Sequence, residues 1–320
     1  MIALANDAEI DSEAKGYHRP VLLTEVLEYL RPAPGKTFLD GTIGGGGHAR
    51  AFLEAGAEVI GIDQDPDAIA ESMASLAEFA SRLTLIRSNF ADISHYLKEM
   101  GVSGFDGILI DLGISSHQLD TPQRGFSFQH SGPLDMRMGP NAPRKASDLV
   151  NYAPEAELVR IFRDYGEEPA ARRVAAEIVR TRVSQLFSTT VELAQAIEAV
   201  LPRRGPRHPA TRVFQALRIA VNDELGTIER ALPLLADQVK PGGRFAVITF
   251  QSLEDRLVKQ FFRKVTQEWV DRPEWPEPKR NPSFGFRSLT SRPVEPGEEE
   301  LATNPRSRSA KLRVIERNLL

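Results

Sequence analysis

The chain contains no cysteine among its 320 residues. That excludes disulfides, zinc–cysteine sites, iron–sulfur clusters and a thiol nucleophile, and it agrees with a cytoplasmic location. No apolar run approaches the roughly 20 residues that span a bilayer. The best strand-like stretch, Gly107 to Ile114, is short, so no membrane partner is expected. The opening segment MIALANDAEIDSEAKGYHRP carries acids and lacks the basic-then-apolar order of a secretory signal. Neither His48 nor His208 has a second histidine at metal-ligand spacing, so no metal is expected. Internal repeats are also missing.

What is present is an ordinary globular composition, 41% apolar and 26% charged. At about 150 residues per domain, the length allows one large domain or two modest ones. The net charge of −4 argues against a wholesale nucleic-acid binder, but the charge is uneven. Ala199 to Asn222 holds Arg203, Arg204, Arg207, Arg212 and Arg218 without an acid. Thr303 to Leu320 holds Arg306, Arg308, Lys311, Arg313 and Arg317 against Glu316 alone. A local basic face on a near-neutral body is the footprint that a polyanion needs.

Residues 1–16 read as a flexible polar arm. A helix carrying Val21, Val26, Leu27 and Leu30 stops at Pro32. Strands are expected at Lys36–Asp40, Glu58–Asp63, Leu83–Arg87 and Gly107–Leu112, with helices at about His48–Ala55 and Asp67–Phe79. This alternation implies a parallel sheet with helices on both faces. Residues 121–210 show no convincing strand. A Gly/Pro-rich loop (Thr121 to Pro143) leads into helical stripes, one opened by the capping box Thr189-x-x-Glu192. One long helix is expected over Phe214 to Leu232, a turn at Lys240–Gly243, then a strand (Arg244–Phe250), a helix (Ser252–Val265) and a last strand (Ala310–Glu316). The expected architecture is α/β: a Rossmann-like sheet built from 17–120 and 211–320, interrupted by a helical substrate domain, 121–210.

The strongest local signal is the run Asp40 to His48, with four consecutive glycines between the first strand and the first helix. Glycines permit a sharp turn and close approach to a ligand, and a helix N-terminus receives an anion. Asp63 follows Gly44 by nineteen residues, at a strand end where a carboxylate can accept ribose hydroxyls. Gly44-x-Gly46-x-x-Ala49 satisfies the dinucleotide fingerprint, so NAD must be weighed. Asp40 tilts against it, because an acid at the first strand tip repels a pyrophosphate but suits the ammonium of S-adenosylmethionine. A second signal, Asp111 to Asp120, follows the fourth strand, where open parallel sheets bind ligands; the plain alternative is a solvated loop with Asp111 as a cap. The segment Arg124 to Met138 has Phe126, Phe128, Arg124 and Arg137, and reads as a mobile substrate loop able to stack bases and contact phosphate. Ser252-Leu-Glu-Asp255 and Tyr165-Gly-Glu-Glu168 read mainly as helix caps.

Together these segments resemble the bacterial 16S rRNA cytosine-N4 methyltransferases, class I S-adenosylmethionine enzymes. The matching pieces are His18-Arg-Pro-Val-Leu22, Asp40 to His48, Gly61-Ile-Asp-Gln-Asp-Pro66, Asp106 to Ser116, Arg124-Gly-Phe-Ser-Phe128 and Gly132 to Met138. They continue in Tyr165 to Glu168, His208-Pro-Ala-Thr-Arg212, Phe214-Gln-Ala216, Ser252 to Arg256 and Asn304 to Arg308, so the resemblance spans about residues 17 to 317. It implies cofactor contacts at Gly46, Gly47, His48, Asp63, Phe90, Asp111 and Gln118, beside the Asp40 and Gly44 read from the loop itself. Gln251 stands where the family has a common histidine, Gly45 where arginine is frequent, and His117 where proline is usual.

The implied reaction is direct methyl transfer to the exocyclic N4 of one cytidine in 16S rRNA of the small subunit. Asp111, Ser115 and Ser116 are the first candidates to accept a hydrogen bond from that amine. The base is expected to unstack against Phe126 or Phe128. Arg124, Arg137, Arg203, Arg204, Arg207, His208 and Arg212 are the candidate RNA contacts. A homodimer is left open. Two other classes compete: an NAD-dependent oxidoreductase and a non-catalytic RNA-binding assembly factor. A DNA amino-methyltransferase usually shows Pro-Pro-aromatic after the fourth-strand acid, where Leu112-Gly113-Ile114 stands. Titration of the purified protein with S-adenosylmethionine and with NADH separates the first two; saturable binding of the former alone is expected.

Overall fold

The computed structural model describes residues 20–203 and 208–319. The N-terminal arm, His18, Arg204 and Arg207 therefore lie outside the described residues. The chain begins with α1 (Leu23–Leu30), β1 (Thr37–Asp40), α2 (Gly47–Glu54), β2 (Glu58–Asp63), α3 (Pro66–Ser75), β3 (Leu83–Arg87), α4 (Ser94–Leu97) and β4 (Phe105–Asp111). A helical run follows: α5 (Ser116–Asp120), α6 (Ala146–Tyr152), α7 (Glu155–Asp164), α8 (Ala171–Arg182), α9 (Thr190–Val200), α10 (Thr211–Asn222) and α11 (Glu224–Asp237). Then come β5 (Val239–Thr249), α12 (Ser252–Thr266), β6 (Trp269–Val270), β7 (Lys279–Arg280), β8 (Phe286–Ser288), α13 (Glu298–Thr303) and β9 (Lys311–Arg317).

Seven strands form one sheet in the order β3-β2-β1-β4-β5-β9-β8. The first five are parallel, whereas β9 runs antiparallel to β5 and to β8. Strand side chains alternate between faces, and the alternation sorts them into two cores. Leu39, Ile60, Ile62, Ile108, Ile110, Phe245 and Val247 meet Ile228, Leu232 and Leu235 of α11 and Val258 and Phe262 of α12. Their neighbours Phe38, Val59, Leu109, Ala246 and Ile248 meet Val26 of α1 and Phe52 and Leu53 of α2 on the other face. Gly107 pairs with Phe38 across β1 and β4. A methyl group there would lie 2.2 Å from the Phe38 ring, so glycine is what lets these strands close over that aromatic.

The insert between β4 and β5 builds its own core from Leu149, Leu158, Ile161, Phe162, Val174, Ile178, Leu193 and Ile197. Here two expectations are corrected. The helix expected over 214–232 is two helices, broken at Asp223, whose φ of 48° is left-handed. The break lets α10 bury Val213, Phe214, Leu217 and Val221 in the helical core while α11 faces the sheet. Finally, Lys240–Gly243 bulges within β5, where the register against β4 jumps from Val239 to Arg244. Among the described residues, no helix is long and apolar enough to cross a membrane.

Gly107→Ala should destabilise the protein by about 1–3 kcal/mol through overpacking. A lower urea midpoint with an unchanged denaturant slope is the expected observation.

Candidate functional site

The sheet order reverses between β1 and β4, and at a reversal of this kind the loops on the carboxyl side diverge and leave a crevice. A cavity of about 820 Å³ opens there. Its lining includes Gly44, Gly46, Gly47, His48, Asp63, Phe90, Asp111, Ser115, Ser116 and Gln118 of the expected site. Phe250, Gln251, Glu254, Arg218, Asn222 and Glu224 complete the other side.

Gly44 and Gly46 both adopt left-handed backbone, with φ of 51° and 83°, which glycine takes without steric cost. A side chain on Gly46 would lie 2.8 Å from Leu76. The turn is held from outside: Ser72 Oγ donates to the Gly44 carbonyl at 2.7 Å, and the Gly44 amide donates to Asp63 Oδ2 at 3.0 Å. α2 starts at the end of this turn with no side-chain cap, leaving its first amides for an anionic group. His48 is buried and burial pushes its imidazole down to about 4, so it is neutral. The Val21 carbonyl, 2.9 Å from Nε2, can only accept, which places the proton on Nε2.

Carboxylates crowd this site. Asp40 is 2% exposed and lies behind the lining, with Oδ1 accepting from the Thr42 amide at 3.3 Å. It is not among the residues that line the cavity. Burial raises Asp40 to about 7, with Asp63 adding repulsion, and raises Asp63 itself to about 6. Asp111 is pushed well above the usual range by burial and by the nearby Asp40 and Glu254. Its Oδ1 is buried without a hydrogen-bond partner. Glu254 is 1% exposed and burial raises it to about 7. No lysine lines the cavity among the described residues, and each of its arginines has an acid partner: Arg218 is gripped by Glu224 through two bonds of 2.8 Å, Arg50 donates to Glu78 at 2.9 Å and Arg306 to Asp120. Such a lining attracts a cation and repels a diphosphate.

Gln118 bridges two loops. It closes a capping box with Ser115 at 3.1 Å and donates from Nε2 to Asp65 at 2.7 Å. Asp65 was not singled out in the sequence. It caps α3 and holds both Gln118 and Arg124.

The segment Arg124 to Met138 differs from a mobile substrate loop. Phe126 is 7% exposed and packs in the helical core with Leu134, Met136 and Met138. Arg124 donates to Asp65 and Asp67 and to the Arg137 and Met138 carbonyls, so it is a clamp between units. Arg137 is paired with Asp135 at 2.7 and 2.9 Å. Phe128 stacks between His208 and Phe214, at 4.5 and 4.8 Å, and His208 Nε2 lies 2.8 Å from Glu198. Of this segment only Met138 lines the cavity among the described residues; Arg124, Phe126, Phe128 and Arg137 do not, nor does His208. Arg203 and Arg212 are exposed. The sequence signal for the clamp was the pairing of Arg124 with an acid-rich Asp63–Asp67 stretch, which spacing alone cannot join.

This sheet, crevice and inserted helical unit define a Rossmann-like class I methyltransferase. The model described as the MraW methylase family matches residues 15–318. The ribosomal RNA small subunit methyltransferase H of Heliobacterium modesticaldum is 49% identical over 308 residues, covering 94% of this chain and 98% of that protein. The protein of the same name from Geobacter sulfurreducens is 50% identical over 306 residues, covering 94% and 98%. That from an Anaeromyxobacter species is 48% identical over 303 residues, covering 94% and 97%. The chain belongs to the MraW methylase family.

Carboxyls raised by burial take up protons on folding, so the stability they contribute is full below their ordinary range and is lost as pH rises through the folded values. Replacing Asp111 by Asn removes one such group. As pH rises above the ordinary carboxylate range, the stability of ligand-free Asp111→Asn relative to wild type should rise, read as the difference in urea midpoints; a difference independent of pH contradicts the assignment.

Proposed function

We propose that the protein methylates the exocyclic N4 of a cytidine in 16S rRNA of the small ribosomal subunit, using S-adenosylmethionine. The observation that carries this reading is a glycine turn opening onto a cavity lined by Asp63, Asp111 and Glu254 and, among the described residues, by no lysine. The fit of the donor set is good: uncapped α2 amides suit a carboxylate, Asp63 suits ribose hydroxyls, and the unpartnered Asp111 oxygen suits an N–H. When bound, S-adenosylmethionine supplies an electrophilic methyl group on a cationic sulfur.

The chain's own groups do the rest. Gly44, Gly46, Gly47 and His48 form the anion-accepting end, while Asp63, Phe90 and Gln118 shape the nucleoside end. Asp63 has accepted two backbone amides, Gly44 and Asp65, yet each carboxylate oxygen keeps a lone pair for a hydroxyl. A positive charge in the cavity favours the ionised forms of Asp40 and Asp111. Ionised Asp111 can accept a hydrogen bond from an amine, which localises its lone pair. Ser116 lines the same cavity, whereas Ser115 Oγ is engaged in capping α5. Alignment of the reacting atoms, not covalent catalysis, is the main resource, and positioning of this kind contributes several kcal/mol, on the order of 7–11 at best.

The RNA is the partner, reached through the basic exit of the helical unit, where Arg203 and Arg212 are exposed. Arg204, Arg207 and His208 belong to the same stretch. Affinity for it should fall with salt. Because Phe126 is in the core and Phe128 is stacked by its own neighbours, the extruded base belongs in the cavity rather than against them.

Labelled cofactor incubated with small subunits lacking the modification should yield N4-methylcytidine on nucleoside analysis. A different methylated nucleoside overturns the reaction. Asp63→Ala should keep the wild-type circular dichroism and lose cofactor binding by at least about tenfold, the scale of one lost charge-assisted hydrogen bond; unchanged methylation by this variant favours an assembly factor acting without the cofactor.

A further inference from the structure

The two sides of the cavity come from different strands. The cofactor side is formed by the ends of β1 and β2. The opposite side follows β5, which pairs in parallel with β4 so that Asp111 lies beside Ile248. Phe250 and Gln251 therefore leave the sheet next to the Leu112-Gly113 turn. Indeed a methyl group on Gly113 would lie 3.5 Å from the Phe250 ring. Phe250 and Gln251 both line the cavity.

Two observations single out Gln251. It precedes α12, yet its side chain makes no cap bond to that helix. Its Oε1 is buried without a hydrogen-bond partner. A buried unpaired amide oxygen is costly, and a ligand donor that meets it removes that cost. The backbone around it is fixed. Glu254 Oε2 accepts from the Phe250 amide at 2.9 Å and from the Gln251 amide at 3.2 Å. Glu254 Oε1 lies 3.8 Å from Arg218, which is itself locked to Glu224. The amide is thus presented by a loop that three charged side chains hold in place.

We propose that the Gln251 side-chain amide is the group that recognises the exocyclic amine of the target base, with Phe250 as the apolar surface beside it and Glu254 as the positioning residue for both. This rests on the methyl-transfer reading above. The amine of cytosine offers two N–H donors. One lies toward Asp111 at the end of β4 and the other toward Gln251 at the end of β5, which places the amine between two acceptors. Uracil carries a carbonyl at that position and has no hydrogen to give either oxygen. The residue is therefore a determinant of base specificity, separate from the cofactor cradle.

The test uses full-length protein with Gln251→Met, which keeps the length of the side chain without its acceptor, and Gln251→His, which restores a polar partner. Calorimetry with S-adenosylmethionine should give wild-type affinity in both, because neither change touches the glycine turn. Equilibrium dialysis with labelled cytidine or uridine, with S-adenosylhomocysteine saturating, should show cytidine binding weakened about tenfold in Gln251→Met, uridine binding unaltered, and cytidine binding restored in Gln251→His. On unmodified small subunits the Met variant should raise KM more than it lowers kcat. Equal losses for cytidine and uridine, or no loss, overturn the assignment of Gln251 while wild-type formation of N4-methylcytidine leaves the reaction standing. If the wild-type protein forms no N4-methylcytidine, both fall.

Discussion

Four carboxyl groups surround a single crevice, Asp40 and Glu254 buried and Asp63 and Asp111 half-buried, and desolvation raises each above its ordinary value. Like charges in a poorly solvated place cannot all ionise at once unless a positive charge joins them. Arg218 lies close to Glu254 but is itself held by Glu224. The β1–β4 side of the crevice is therefore rich in acid, and a cationic ligand suits it. This one constraint connects the glycine turn, which brings backbone close to the crevice, to a lining that, among the described residues, holds no lysine and only arginines with an acid partner.

The same constraint separates this site from a dinucleotide site with a similar glycine spacing. A phosphate-binding turn presents amides and tolerates basic neighbours. Here the uncapped start of α2 faces a cavity whose other walls carry Asp63, Asp111 and Glu254. The glycine pattern alone is ambiguous; the positions of Asp63 and Asp111 resolve it, because each stands at a strand end that the sheet order brings to the same edge.

Much of this was legible in the sequence. Strand positions followed from short apolar runs, since a parallel strand buried on both faces leaves a continuous signature, as in Ile108-Leu109-Ile110. The cofactor half was legible because its residues are contiguous with those strands. Other features were hidden for physical reasons. A helix break at Asp223 looks locally like a continued apolar stripe, for periodicity does not report a single left-handed residue. The burial of Phe126 was missed because irregular chain can enter a core without periodic spacing, provided its polar groups are satisfied, as Arg124 satisfies the Arg137 and Met138 carbonyls. Glu254 read correctly as a cap, but its place in the cavity depends on the β4–β5 pairing, which no local window contains.

The break at Asp223 also governs how the two bodies of the molecule are joined. Asn222 grips the Met136 carbonyl and the Met138 amide on one side of it, and Glu224 grips Arg218 across it. Both flanking residues line the cavity. The residues that tie the two helices across the break are thus also part of the cavity wall, so a substitution at Asn222 or Glu224 reaches the joint between the bodies and the chamber at once.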